Sequence, residues 1–164
     1  MNSLWGNIFR VRQREPEKVR NILKRLPIFE DLGSRDLTAI ERILHRREYR
    51  EDETIFLQGD PGLGMYIIES GTVAIVCEPV KQVLAELDEG EFFGELALLD
   101  DLPRTATAVA KTPCSVLCFF QPDLFDLIDR NPRLGVKILF RLARTVGERL
   151  KKTNEQLFAL KNTC

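Results

Sequence analysis

The stretch Phe92–Ala110, FFGELALLDDLPRTATAVA, reads as protein core by its apolar content, yet it carries Glu95 and, nine residues later, Arg104. Its ends favour strand, and the pattern breaks at Gly94, after which GELALLDD is short and helix-favouring. A glycine there can take the backbone conformation needed to pass from a strand into one tight helical turn. The start of such a turn presents N–H groups without acceptors and a partial positive charge, which together make an anion site. Pro103 stiffens the return, so Arg104 can bring its guanidinium fork to the same anion, and a phosphate suits that fork. Glu95 only accepts hydrogen bonds and calls for hydroxyl donors of the kind a sugar supplies. A phosphate and a sugar hydroxyl side by side describe a nucleotide. An Arg and a Glu in a sheet protein are more often an ordinary ion pair. Here the glycine before them and the small-residue run TATAVA (105–110), which lets a ligand approach the sheet, favour the ligand reading.

Outward from this stretch the chain keeps a short β rhythm. ETIFL, GMYIIES, GTVAIVC and QVLAEL precede it and SVLCFF follows, separated mostly by turn formers such as QGDPGLG and ESG. Short strands at that spacing predict an antiparallel sandwich or barrel rather than a parallel sheet with crossover helices. Helices flank the strands. Glu15–Leu26 places Val19, Ile22, Leu23 and Leu26 on one face, with Pro16 in its first turn and Pro27 as its stop. A second helix opens on Ser34 as N-cap and Asp36 in the first turn, and runs through Leu37, Ile40, Ile43 and Leu44, with His45 near its end. QPDLFDLIDRNP returns to helix after the strands. Beyond Pro132 a long helix spans Arg133–Leu160, and Leu139, Leu142, Val146, Leu150, Thr153, Leu157 and Leu160 form a narrow seam suited to a coiled-coil mate. The class expected is α+β, mainly β: an antiparallel β-roll with N-terminal helices and a long C-terminal helix. Its divisions are an N-terminal amphipathic segment over 1–14, a ligand-binding domain over 15–131 and a dimerisation helix over 132–164.

Composition narrows the function. The 164 residues are 44% hydrophobic and 30% charged, which fits one globular domain with an appended helix. A net charge of −1 does not mark a nucleic-acid binder, although Arg10–Arg25 and Arg133–Lys152 are basic and Glu86–Asp101 acidic. No apolar run nears the roughly 20 residues needed to span a bilayer, and the first residues lack a secretory apolar region, so a cytoplasmic protein is expected. Cys77 and Cys164 are isolated, and Cys114 and Cys118 share one face of a strand. With His45 the only histidine, neither a metal site nor a disulfide framework is expected. The same lack argues against a metal-dependent cupin, the other common small β-barrel, and no catalytic residue is assigned.

FGELALLDDLPRTATAVA resembles the phosphate-binding cassette of cyclic-nucleotide-binding domains, the family of kinase regulatory subunits, nucleotide-gated channels and the bacterial catabolite activator. IFLQGDPGLGMYIIESGTVAIV resembles that family's first strands and RLPIFEDLGSRDLTAI its leading helix pair, so the likeness covers Leu23 to Leu160. The Glu-to-Arg spacing is that of the kinase and channel members, one residue shorter than in the catabolite activator, while Leu63 departs from the polar residue many members carry. The resemblance implies a jelly-roll, or double-stranded β-helix. It implies that Arg104 pairs with the cyclic phosphate and Glu95 takes the ribose 2′-hydroxyl. Gly94, Leu96 and Ala97 would offer backbone N–H groups, and Thr105 would lie beside the phosphate or base. ERLKKTNEQL (Glu148–Leu157) resembles the catabolite activator's dimer helix, where a Thr and the next polar residue approach the adenine, one from each subunit; here these are Thr153 and Asn154.

The function expected is a sensor for a cyclic purine mononucleotide, cyclic AMP with cyclic GMP left open. It works as a homodimer through the C-terminal helix, takes no cofactor beyond its ligand and signals to a protein effector. Since the sequence ends at Cys164 without a helix-turn-helix, DNA is not an expected partner. Two alternatives stay open: an interaction module that keeps the fold without the ligand, and a regulatory subunit whose enzyme or channel is a separate chain. MNSLWGNIFRVRQR places Leu4, Trp5, Ile8 and Phe9 on one side of a helix, with Arg10, Arg12 and Arg14 following. It is expected to pack on its own domain or on the dimer mate rather than on a membrane.

Overall fold

The apolar run in GMYIIES is explained by where its strand lies. In the computed structural model, which describes residues 16–161, β3 (Gly64–Ser70) and β8 (Cys114–Phe120) pair antiparallel in the middle of one sheet and are buried along nearly their whole length. Alternate residues face opposite ways. Met65, Ile67, Leu117 and Phe119 join a core shared with the helices, while Tyr66, Ile68, Val116 and Cys118 join a second core between the sheets. A strand covered on both faces has no need of polar alternation.

Among the described residues two four-stranded antiparallel sheets form. The first has the order β1 (His45–Tyr49), β8, β3, β6 (Phe92–Phe93); the second has β2 (Thr54–Phe56), β7 (Thr107–Ala110), β4 (Val73–Cys77), β5 (Gln82–Leu87). This is the expected antiparallel β-roll. One strand escaped the sequence reading. β1, HRREY, carries no aliphatic residue, but its register from His45 opposite Cys118 to Tyr49 opposite Cys114 makes it an edge of the first sheet. His45 therefore opens a strand rather than ending a helix, and its Nε2 lies 3.2 Å from Asp123 Oδ2. β6 is only a residue pair, too short for any period.

Helices α1 (Pro16–Arg25) and α2 (Ser34–Ile43) cover the first sheet, joined by a 3-10 turn at Pro27–Phe29. The cap of α2 is Gly33, not Ser34: the Gly33 carbonyl accepts the Leu37 N–H at 3.0 Å, and Ser34 is already the first helical residue. Ser34 instead offers its carbonyl to the Thr38 hydroxyl at 2.8 Å. α3 (Gln121–Arg130) follows β8 directly, and α4 (Pro132–Lys161) starts after Asn131. Gly135 sets the angle between them. A Cβ there would stand 2.5 Å from Ile128 Cγ1 and 3.0 Å from its Cα, so only glycine allows α4 to lie this close.

The row Leu134, Ile138, Leu142 and Thr145 buries the first half of α4 against the domain. Each fully covered aliphatic side chain contributes about 1.5–3 kcal/mol. Arg141 adds an ion pair with Glu30 at 3.0 Å and a second with Asp31. The expected seam is therefore split. Leu142 has no solvent exposure and belongs to the chain's own core, and Leu139 and Val146 are half-buried, whereas Leu150, Leu157 and Leu160 are exposed. The sequence spacing conflated two rows of one helix. Among the described residues no helix is long and apolar enough to cross a membrane. The N-terminal amphipathic segment and Cys164 lie outside the described residues.

Candidate functional site

At the end of β6 the chain turns through Gly94, whose φ of 72° and ψ of 19° are left-handed, into a 3-10 turn at Glu95–Leu98. A Cβ on Gly94 would sit 2.6 Å from Arg104 Nη1, so the glycine both permits the turn and leaves room for the guanidinium. The Gly94 carbonyl accepts from Arg104 Nη1 at 3.1 Å and from the Ala97 N–H at 3.3 Å. The N–H groups of Glu95 and Leu96 precede the turn's first internal bond and have no acceptor within it.

Arg104 is pinned from several sides. Its N–H donates to the Asp60 carbonyl at 2.8 Å and its own carbonyl accepts from Gly59 at 2.9 Å, which ties it to the loop between β2 and β3. Nη2 donates to the Gly64 carbonyl at 2.7 Å. The guanidinium carbon stands 4.2 Å from the centre of the Phe56 ring and 5.4 Å from that of Tyr66, a cation over two aromatic faces. The residue is 7% exposed, and burial lowers its pKa, partly offset by Tyr66, Asp60 and Glu95. Arginine nonetheless stays charged at neutral pH. Among the described residues no carboxylate is in ion-pair contact with it, and its buried Nε has no hydrogen-bond partner. A buried cation without a counter-ion costs several kcal/mol, and an anion placed on Nε removes most of that cost.

Glu95, 6% exposed, is not left facing solvent either. Its Oε1 accepts from Nη1 of Arg149 at 2.6 Å, and Arg149 Nη2 donates to the Phe92 carbonyl at 3.2 Å. The Arg149 guanidinium lies 4.4 Å from the Phe92 ring centre. Among the described residues Glu95 Oε2 makes no hydrogen bond. Arg149 was not foreseen. It continues the body-facing row of α4, four residues after Thr145, and that row runs onto the 3-10 turn. The spacing was visible in the sequence; where the row ends was not.

These groups enclose a cavity of ≈ 260 Å³ between the two sheets. Its size suits a small ligand, just under the roughly 300 Å³ lower bound of drug-sized pockets. Gly94, Glu95, Leu96, Ala97, Arg104 and Thr105 all line it, as do Arg149 and Asp100, and Phe56, Ile75 and Phe93 supply apolar walls. Thr153 and Asn154 do not line it. Both are exposed on α4 beyond Arg149, and the Thr153 hydroxyl donates to the Arg149 carbonyl at 3.0 Å. Among the described residues no cluster of His, Cys, Asp or Glu is placed to hold a metal ion.

A positive turn, a buried arginine lacking an anion and a paired glutamate within one β-roll call for comparison with known proteins. The family model described as cyclic nucleotide-binding domain matches residues 46–131, from β1 through α3 to Asn131. The chain belongs to the cyclic-nucleotide-binding domain family. Members with similar sequences include the cyclic AMP receptor protein of Thermus thermophilus, 34% identical over 129 residues, or 77% of this chain and 60% of that protein. The cAMP-dependent protein kinase regulatory subunit of Yarrowia lipolytica is 37% identical over 94 residues, 57% of this chain and 25% of that one. In fold, a cyclic nucleotide-binding domain from Methylobacillus flagellatus superposes with a TM-score of 0.77 at 23% identity, over 87% of this chain and 82% of that one. This cyclic-nucleotide-binding domain thus spans from a quarter to three fifths of these two curated relatives' lengths.

Proposed function

We propose that this chain is a non-catalytic cytoplasmic sensor that binds cyclic AMP in the cavity and passes occupancy to α4 and a protein effector. The observation that carries the reading is the Arg104 guanidinium, buried and, among the described residues, without a carboxylate partner, with Nε unpaired beside the start of a 3-10 turn. The cyclic phosphate neutralises it, helped by the N–H groups of Glu95 and Leu96. The Ala97 N–H contributes less, being already engaged with Gly94. The ribose 2′-hydroxyl donates to Glu95 Oε2, while Arg149 holds Oε1. Cyclic AMP is favoured over cyclic GMP because the relatives named above are a cyclic AMP receptor and a cAMP-dependent kinase subunit.

Glu95 then touches ligand and long helix at once, so ligand affinity and α4 position are thermodynamically linked. The homodimer forms along a different row from the one first expected. Val136, Phe140, Ala143, Gly147, Leu150, Asn154 and Leu157 are all exposed and recur at alternating four- and three-residue steps. Thr153, four residues after Arg149, stays on the side of its own cavity, and Asn154 faces the second copy. A ligand-free interaction module is disfavoured, because an empty pocket gives no return for a desolvated arginine.

Mass spectrometry of the small molecule released on denaturing the purified protein, followed by calorimetric titration with cyclic AMP, tests the reading. Arg104→Ala removes the cation and is expected to weaken binding by about 2–5 kcal/mol, roughly thirty- to several-thousand-fold, and Arg104→Lys, which keeps the charge but loses the fork, is expected to weaken it substantially too. An alanine variant binding within about threefold of wild type would remove Arg104 from the phosphate.

A further inference from the structure

The charges lining the cavity do not favour every anion equally. Arg104, Arg149, Glu95 and Asp100 all line it. Glu95 and Arg149 neutralise each other at 2.6 Å, which leaves one buried cation, Arg104, and one further carboxylate, Asp100. Asp100 follows the 3-10 turn. Its N–H donates to the Leu96 carbonyl at 3.1 Å and its Oδ1 accepts from the Leu102 N–H at 3.3 Å, so the half-buried carboxylate is held in place at the cavity wall. In a cavity of ≈ 260 Å³ a bound charge lies within about one Debye length (roughly 8 Å) of that carboxylate, so solvent ions do not hide it.

Resting on the reading of the site as a cyclic-nucleotide pocket, we propose that Asp100 is a specificity-determining residue that selects a phosphodiester monoanion over the phosphomonoester dianion of the same nucleotide. One negative charge is balanced by Arg104. Among the described residues that line the cavity, the second charge of an opened monoester has no free cation to meet, and it is repelled by Asp100. Asp60 deepens the deficit from outside the cavity, since its field also acts on Arg104. The filter works on charge and leaves recognition of base and sugar to other residues.

The test measures the affinity ratio of cyclic AMP to 5′-AMP by calorimetry, on the full chain at low salt. Asp100→Asn keeps the Oδ1 acceptor for Leu102 and removes only the charge. Asp101→Asn, exposed and away from the cavity lining, makes the same change in net charge and serves as the control. At about pH 7.5, where a phosphomonoester with a second pKa near 6 is dianionic, Asp100→Asn is expected to narrow the ratio by about three- to tenfold and Asp101→Asn by less than about twofold. At about pH 5.5 the monoester is mostly a monoanion, so the wild-type ratio narrows and Asp100→Asn adds little to it. A ratio that Asp100→Asn leaves within about twofold of wild type, or that Asp101→Asn shifts equally, overturns the filter while cyclic AMP binding by the wild type keeps the pocket reading intact. A wild type that binds neither nucleotide overturns both.

Discussion

Replacing Arg149 by methionine probes the joint between the long helix and the ligand site. Methionine keeps an unbranched apolar stem over Phe92 but deletes the bonds to Glu95 at 2.6 Å and to the Phe92 carbonyl at 3.2 Å. A hydrogen bond to a charged group is worth about 1.5–3 kcal/mol. The Arg149 side chain is 46% exposed, so solvent screens part of that, whereas the Glu95 side chain at 8% is left buried and unpaired. A net loss of about 1–2 kcal/mol follows, which for a chain of this size lowers the melting temperature by about 2–8 °C. Ligand affinity falls too, by about three- to tenfold, because nothing then holds Glu95 in register with the ribose. The decisive assay is a cycle of four calorimetric titrations, wild type and Arg149→Met each with cyclic AMP and its 2′-deoxy analogue. If Arg149 acts through Glu95, the substitution matters only for the ligand that carries the hydroxyl. Equal losses on both ligands would refute the coupling and place Arg149 on another part of the nucleotide.

Glu95→Gln replaces a charged acceptor by a neutral one and is expected to cost about 1–3 kcal/mol in cyclic AMP affinity; a variant that still loses as much as wild type on removal of the 2′-hydroxyl would show that Glu95 does not touch it. Phe140→Glu and Leu150→Glu should leave circular dichroism unchanged and give monomers in analytical ultracentrifugation, while Leu142→Glu, at a position without solvent exposure, should abolish folding. A folded monomeric Leu142→Glu would return that residue to the dimer seam. Burial pushes the Cys118 thiol up from 9.0 to about 11. The folded state therefore favours the neutral thiol, and this contribution to stability is present below about pH 9 and lost as pH rises toward 11. Iodoacetamide applied to the native protein should modify the half-buried Cys77 and spare Cys118, read by peptide mass spectrometry, and rapid labelling of Cys118 would contradict its burial.

Local chemistry by itself determined a good part of this protein. The runs that became β3, β4, β7 and β8 announced themselves through β-branched and aromatic content between turn formers, and Gly94 through the break it makes in a strand. The helices showed their apolar periods and, for α1, a proline in the first turn. Such features depend on neighbours within a few residues, where backbone preference is decided, and the sequence carries them directly. β1 was invisible because an edge strand draws its stability from its ladder with β8, not from the side chains of HRREY. Only the tertiary structure decided which row of α4 faces the domain, since its spacing allowed more than one row and the core that receives Leu134, Ile138 and Leu142 is built from distant elements. It also decided what surrounds the two charges of the opening stretch. Arg104 meets the Gly64 carbonyl 40 residues away, and Glu95 meets Arg149 54 residues away. Contacts at such separations follow from how sheets stack and helices pack, and no local preference encodes them. The sequence could name a glutamate and an arginine with reason to be buried; the fold made one an unpaired cation and tied the other to the long helix.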